Sequence, residues 1–285
     1  MAPPHRPATL EELLVPGSRP RVIGHRGAAG LAPENTLPGF ARALGLAVDG
    51  FGVDRFGVDG FGVDMVELDV QLSRDGELVV IHDAELDATT DGRGPVAERT
   101  LAELRRLDAG IRFSPAHAAT RIPTLREVLE GVGREILVNV EIKAHAVTEE
   151  VAGGIEGKVA SLTRELGLER RVIVSSFDPR ALLHLRELAP EIATASLYEE
   201  TLHRGMSPIE VMEAVGSRAF NLSKQQVDGA IVAHCHAHRR PVAVYTVNEL
   251  DEMRALLDLG VDALFTDRPD RMLELLAVRA DARER

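Results

Sequence analysis

Four short segments carry charged or imidazole side chains where a strand is expected to be apolar. They are GHRG at 24–27, VELDV at 66–70, VVIHD at 79–83 and VNVEIK at 138–143. If the segments meet, the carboxylates of Glu67, Asp69 and Glu141 form an oxygen-rich pocket. Such a pocket suits one hard divalent cation, Mg²⁺ or Ca²⁺, with positions left for water or substrate.

The same segments hold two permanent cations and two imidazoles. Arg26 offers a planar fork that suits a phosphate, and Lys143 offers a compact point charge. His25 and His82 can carry protons near neutral pH. A pocket with a metal ion, phosphate-binding cations and proton carriers suits cleavage of a phosphate ester. Structural ion pairs are the alternative, but seven such residues at strand ends favour an active site.

The elements that must position these residues follow an α/β pattern. Stretches with helical periodicity separate β-rich runs, and this alternation predicts a parallel sheet with helical crossovers. The runs are 21–25, 65–70, 77–83, 136–143, 171–177, 192–197, 218–222, 241–247 and 262–267. Since no Pro/Gly/Ser-rich linker divides the 285 residues, we predict an α/β fold with a single (β/α)₈ barrel, a TIM barrel.

The nine runs are one more than the eight strands of such a barrel, and the extra strand is expected at the second and third runs. The linker between them is too short for a parallel crossover, so they are predicted to form a hairpin. A turn at Asp75-Gly76 would place Asp69 opposite His82, whereas a turn at Arg74-Asp75 would place Glu67 there. Both registers bring the three side chains to one face, and only an odd-length loop would separate them.

Three copies of a pentapeptide, FGVDR, FGVDG and FGVDM, occupy residues 51–65. Their aspartate spacing matches neither the EF-hand loop nor the nine-residue β-helix repeat. We therefore interpret residues 50–64 as a flexible insertion. It precedes the second strand, at the end of a barrel opposite the catalytic face, and is expected to be dispensable for catalysis.

Net charge and composition limit the classes of binding partner and the cellular location that are expected for this chain. A net charge of −12 opposes nucleic-acid binding, so an anionic substrate must be small. No apolar run is long enough for stable membrane insertion, and the N-terminus lacks the pattern of a secretory signal. With one cysteine, Cys235, there is no intrachain disulfide framework, and a cytoplasmic location is the expectation. The sequence leaves the oligomeric state open.

The motifs resemble those of the glycerophosphodiester phosphodiesterases, which are TIM barrels that hydrolyse deacylated phospholipids to glycerol 3-phosphate and an alcohol. The resemblance covers about residues 21–272, which leaves 1–20 and 273–285 as predicted tails. It rests on GHRG, APENTLPGF at 32–40, VELDVQLSRDGELVVIHD at 66–83, TTDGRG at 89–94, IPTLREVL at 122–129, NVEIK at 139–143, SSFDP at 175–179, VYTVN at 244–248 and FTDRP at 265–269.

The resemblance implies a role for each candidate residue. The metal ligands would be Glu67, Asp69 and Glu141. The general acid and base would be His25 and His82, in an order that the sequence does not assign. The substrate-binding residues would be Arg26, Lys143, Phe177 and Tyr245.

Two departures from the family pattern concern the pentapeptide insertion and Tyr245, which stands where the family usually has Trp. Because Tyr245 could reshape the alcohol pocket, the physiological alcohol stays open. Other phosphodiesters, such as lysophospholipids or phosphoinositide head groups, are alternative substrates. A non-catalytic ligand-binding barrel is an alternative from another class, but binding alone would not require two proton carriers.

Overall fold

The computed structural model describes residues 8–17, 19–48, 61–198, 203 and 205–283. Within these residues it has nine strands, which coincide with the nine β-rich runs of the sequence. They are β1 Arg21–Gly24, β2 Met65–Leu72, β3 Leu78–Val80, β4 Leu137–Ile142, β5 Val172–Ser176, β6 Ala193–Leu197, β7 Ala219–Ser223, β8 Val242–Tyr245 and β9 Ala263–Thr266.

Helices separate the parallel strands. They are α1 Leu10–Leu13, α2 Leu37–Val48, α3 Leu101–Leu104, α4 Leu125–Val132, α5 Ile155–Glu165, α6 Pro179–Leu188, α7 Pro208–Val215, α8 Gly229–Ala237, α9 Leu250–Leu259 and α10 Pro269–Arg283. Local sequence sets several of their starts. Thr124 and Ser207 form capping boxes with a glutamate three residues on, and Asp178 caps α6 ahead of Pro179. None of the helices in the described ranges has the length and apolar character needed to cross a bilayer.

Eight parallel strands close into a barrel, so the predicted TIM barrel is confirmed. Each strand pairs with the next from β4 through β9, β9 returns to β1, and β2 bridges β1 and β4. The register places Asp69 beside Glu141 and Glu67 beside Asn139. Inward-facing residues on adjacent strands are therefore neighbours, which is the condition for building a site at the barrel mouth.

The ninth strand, β3, is antiparallel to the end of β2, so the predicted hairpin is confirmed. Both predicted registers are wrong. Val70 pairs with Val80 and Leu72 with Leu78, and the backbone N–H of Ser73 donates to the carbonyl of Glu77 at 3.0 Å. The strands are therefore joined by an odd loop of three residues centred on Asp75. Continued in this register, His82 would face away from Asp69. Its imidazole still reaches the pocket lined by Asp69, because the regular strand ends at Val80 and the chain departs from the ladder.

A plug closes the N-terminal end of the barrel. Leu10, Leu13 and Leu14 are buried against the first inward-facing residues of the strands, several of which are alanines. At the other terminus, Leu273 and Leu276 of α10 are buried in the main core. The described parts of both predicted tails thus contribute to the core, because each carries an apolar face that the barrel covers.

The pentapeptide insertion lies mostly outside the described residues, which resume at Phe61. The last copy is part of the barrel base: Val63 and Asp64 are fully buried. The Asp64 carboxylate accepts hydrogen bonds from Arg19 at 2.5 Å and from the backbone N–H of Val22 at 3.0 Å. Its location at the N-terminal end of β2 agrees with the expected placement, but these two residues are structural.

Candidate active site

Side chains from the C-terminal ends of the strands converge on a cavity of about 200 Å³. All nine candidate residues named from the sequence line it. The lining residues are His25, Arg26, Glu67, Asp69, His82, Asn139, Glu141, Lys143, Phe177, Leu197, Tyr245, Thr246 and Phe265. Catalytic sites of TIM barrels lie at this face.

Three carboxylates form the floor of the cavity. One oxygen each from Glu67, Asp69 and Glu141 can be chosen so that all lie within 4.8 Å of one another. Glu67 and Asp69 are two residues apart on β2 and share its inner face, and Glu141 is the β4 neighbour of Asp69. Three carboxylate oxygens at this spacing could hold a hard divalent cation.

The chemistry of Glu67 fits a cation. Its Oε2 accepts a hydrogen bond from the backbone N–H of Arg26 at 2.8 Å, whereas its Oε1 is buried and has no hydrogen-bond donor among the described residues. Burial and the adjacent charge of Asp69 raise the pKa of Glu67 to about 8. A metal ion would give the buried Oε1 a partner, and it would stabilise the ionised carboxylate that burial disfavours.

Two cations partly neutralise the carboxylates. Lys143 Nζ donates to Glu141 at 2.8 Å and to Asp69 at 3.1 Å, so it bridges two of the three acids. Arg26 binds Glu34 at 2.8 Å, and its Nε lies 3.5 Å from Asp69. Burial opposes ionisation of Asp69, but Lys143, His82 and Arg26 outweigh it, so the pKa of Asp69 is below its usual value.

Each of the two histidines that line the cavity has an aspartate within hydrogen-bond distance of its Nδ1 atom. His25 Nδ1 lies 2.6 Å from Asp267, and His82 Nδ1 lies 2.7 Å from Asp83. Burial lowers the pKa of His25, but the hydrogen bond with Asp267 and the charge of Glu67 outweigh this, and the pKa is raised. When Nδ1 donates to the aspartate, Nε2 is the atom left to exchange a proton with a ligand.

The loop after β1 holds the acidic residues in place. The backbone N–H of Gly27 donates to the carbonyl of Glu67 at 3.2 Å. Asn35 makes two hydrogen bonds with Asp69. The Asn35 Nδ2 donates to the Asp69 carboxylate at 2.8 Å, and the Asn35 Oδ1 accepts from the backbone N–H of Asp69 at 3.2 Å. Arg26 has a positive φ of 50°, a conformation that costs a long side chain about 1–2 kcal/mol. This strained conformation places the Arg26 N–H against Glu67.

An aromatic wall faces the polar floor. The rings of Phe177 and Tyr245 meet edge to face with centroids 6.1 Å apart, and Tyr245 meets Phe265 in the same way at 6.4 Å. The cavity therefore has a charged side for a phosphate and an apolar side for the carbon skeleton of a ligand.

Three further residues of the site, Asp267, Asn35 and Glu34, are not among the candidates that the sequence predicts. Asp267 and Asn35 lie in the motifs FTDRP and APENTLPGF, but their contacts are with residues 242 and 34 positions away. A polar residue directly after a barrel strand was the available signal for Asp267, since that position faces the catalytic mouth. No local signal marks Asn35 as a partner of Asp69.

The comparisons with known proteins agree with this geometry. A model of the glycerophosphoryl diester phosphodiesterase family matches residues 59–271. The chain is 38% identical over 258 residues to a glycerophosphodiester phosphodiesterase from Caldanaerobacter subterraneus subsp. tengcongensis, which covers 90% of this chain and 97% of that protein. It is 35% identical over 257 residues to one from Bacillus altitudinis, which covers 90% of this chain and 97% of that protein.

Solved structures show the same likeness. A putative glycerophosphoryl diester phosphodiesterase from Silicibacter pomeroyi superposes with a TM-score of 0.81 at 28% identity, over 95% of this chain and 98% of that one. A phosphodiesterase from Oleispira antarctica, in complex with the product sn-glycerol-3-phosphate, gives 0.75 at 29% identity, over 90% of this chain and 97% of that one.

Proposed function

The chain belongs to the glycerophosphoryl diester phosphodiesterase family, and from that premise we propose that it hydrolyses glycerophosphodiesters to sn-glycerol 3-phosphate and an alcohol. The observation that carries the proposal is the meeting of three carboxylates with two aspartate-bound histidines in one cavity. The Oleispira complex supports the product, because a relative with the same fold binds sn-glycerol-3-phosphate.

Glu67, Asp69 and Glu141 would hold one divalent ion, Mg²⁺ or Ca²⁺. The orphaned Oε1 of Glu67 supports this ligand set. When bound, such an ion supplies positive charge that polarises a phosphoryl oxygen. Arg26 and Lys143 would add charge from the protein itself, because both side chains line the cavity beside the carboxylates.

The two histidines would share proton transfer. One imidazole Nε2 accepts the proton of the attacking oxygen, and the other donates a proton to the departing alcohol oxygen. Asp267 and Asp83 hold the Nδ1 atoms, so each ring keeps the tautomer and the orientation that this exchange needs. The assignment of acid and base to His25 and His82 stays open.

Phe177 and Tyr245 would contact the non-reacting part of the substrate. Their edge-to-face pair forms an apolar surface opposite the charged floor, so a diester enters with its phosphate toward the carboxylates and its carbon chain toward the rings. The small cavity suits a diester without long acyl chains.

Release of sn-glycerol 3-phosphate from a panel of glycerophosphodiesters, with and without EDTA, tests the proposal. We expect turnover that EDTA abolishes and that Mg²⁺ or Ca²⁺ restores. The variants His25→Ala and His82→Ala should each lower kcat by about two to four orders of magnitude, the range for losing a general acid or base. Turnover that is unaffected by chelation would overturn the metal role, and an undiminished histidine variant would overturn that residue's role.

The control variant is His236→Ala. His236 is also paired with an aspartate, Asp262 at 2.8 Å, but His236 lies in the last turn of α8 and Asp262 directly precedes β9, at the N-terminal end of the barrel. The same substitution at a comparable pair should leave kcat unchanged. A loss equal to that of His25→Ala would show that the assay reports folding and not proton transfer.

A further inference from the structure

Gln71 has contacts that the proposed reaction does not yet use. It follows Glu67 and Asp69 on the inner face of β2 and is 1% exposed. Its Nε2 donates to the carbonyl oxygens of Ile81 at 3.0 Å and Asp83 at 2.9 Å. These two carbonyls flank His82 in the chain.

The opposite end of the Gln71 amide is also held. Nε2 of His145 lies 3.1 Å from Oε1 of Gln71. Because an amide oxygen only accepts, the His145 Nε2 carries the hydrogen. Burial, then the charges of Lys143 and His82, lowers the pKa of His145, and the neutral ring that results can still donate from Nε2. The amide thus uses both donors and its acceptor, and it links the ends of β2, β3 and β4.

The hairpin register explains why this link matters. In the β2–β3 ladder, His82 would stand opposite Leu68 and face away from the carboxylates. The N–H of Ile81 still makes an in-register bond to the carbonyl of Asp69 at 3.1 Å. The chain must therefore leave the ladder after Ile81 for the imidazole to enter the cavity. The Gln71 amide supplies two further hydrogen bonds to the departing segment.

We infer that Gln71 is a positioning residue that holds His82 in the catalytic cavity. It acts through the main chain on either side of the histidine, and through Asp83, whose carboxylate binds His82 Nδ1 at 2.7 Å. The inference rests on the proposed function, since it assigns Gln71 a part in proton transfer by His82. A buried side-chain amide with all partners satisfied fixes a backbone conformation that no regular strand provides.

The test is a double-mutant cycle of Gln71→Met and His82→Ala. Methionine keeps most of the side-chain volume and deletes the hydrogen bonds. We expect Gln71→Met alone to lower kcat about 10- to 100-fold, the usual effect of deleting an outer partner of an active-site group. KM and metal affinity should not change. In the His82→Ala background the same substitution should cost nothing further, because the group that it positions is gone.

Gln226→Met is the matched control. Gln226 is a half-buried glutamine after β7 whose Oε1 accepts from the backbone N–H of Ser223 at 3.2 Å, and it does not line the cavity. Its kcat should equal that of the wild type. Should Gln71→Met not fold, as judged by circular dichroism, Gln71→Asn replaces it in the cycle. The shorter amide cannot span both carbonyls.

Each outcome decides one point. If wild-type protein releases no sn-glycerol 3-phosphate, the proposed function fails. If wild type is active and Gln71→Met keeps full kcat, the positioning role fails. Equal fold losses with and without His82 would show a general structural role and would also overturn the inference.

Discussion

Nδ1 of His25 lies 2.6 Å from Oδ1 of Asp267. His25 directly follows β1 and Asp267 directly follows β9, and these two strands pair where the barrel closes. Asn248 completes the arrangement, because its Nδ2 donates to Oδ2 of the same aspartate at 2.6 Å. Closure of the barrel between β1 and β9 therefore brings a proton carrier and its partner together.

The first prediction concerns Asp267→Asn. The variant keeps the shape of the side chain but removes the charge that favours protonated His25 and fixes its ring. We expect kcat to fall by about 10²–10⁴, since a wrong tautomer disables the imidazole. The pKa of His25 should fall with the loss of a raising influence, so the limb of the pH–rate profile that belongs to His25 moves to lower pH.

Asp270→Asn is the control for this variant. Asp270 lies three residues after Asp267 and accepts a hydrogen bond from Arg268 at 2.7 Å. It lies outside the cavity lining. It should keep the kcat and the pH profile of the wild type. An Asp267→Asn enzyme with full kcat would contradict a role for the aspartate in orienting His25.

The second prediction concerns the pH dependence of metal binding. In the metal-free protein, burial and Asp69 hold a proton on Glu67 up to about pH 8. A cation binds the ionised carboxylate, so below this pH it must displace the proton. Apparent affinity should then fall about tenfold for each pH unit below 8 and level off above it. Calorimetric titration with Ca²⁺ across this range measures the slope.

Glu67→Gln separates this effect from other titrations. Glutamine offers one neutral oxygen and no proton to displace, so binding should be weaker and its dependence on pH around 8 should disappear. If wild-type affinity is constant between about pH 6 and 8, the coupling of metal binding to Glu67 is refuted.

The third prediction concerns Lys143→Met. In the metal-free protein Lys143 is the cation that bridges Asp69 and Glu141, and its loss leaves the buried carboxylate of Asp69 and the partly buried one of Glu141 without that partner. We expect the metal-free variant to have a lower Tm than metal-free wild type. Saturating Ca²⁺ should recover most of the loss, because the ion replaces the missing charge. An equal loss of Tm with and without Ca²⁺ would contradict this account.

Sequence patterns predicted the barrel and its hairpin, but not the register of the hairpin. The Asp75-Gly76 dipeptide does mark the turn, yet Asp75 also accepts hydrogen bonds from Ser73 Oγ at 2.7 Å and from the backbone N–H of Leu101 at 2.9 Å. The second contact fixes Asp75 to the start of α3, 26 residues away, and Gly76 adopts a φ of +79°. A long-range contact thus accompanies a three-residue loop in place of the two-residue turn that local propensity favours.

The candidate residues could be predicted for a simpler reason. A charge such as Glu141 within an apolar strand is anomalous, and the barrel topology brings all strand ends to one mouth. Partners such as Asn35 are different, because they sit in loops where polar residues are ordinary. Their function depends on three-dimensional proximity to Asp69, and no spacing in the chain encodes that proximity.

The fourth prediction concerns the pentapeptide repeat. Deletion of residues 51–60 removes two whole copies and keeps Phe61 to Asp64, so the ion pairs of Asp64 with Arg19 and Arg21 can still form. Because this connection enters β2 at the end opposite the cavity, kcat and KM should equal those of the wild type.

By contrast, Asp64→Asn leaves buried Arg21 without its carboxylate and should cost about 3–5 kcal/mol of unfolding free energy while kcat per folded molecule stays unchanged. Urea unfolding and initial rates measure both variants, and a folded deletion protein with lost turnover would refute the placement of the repeat.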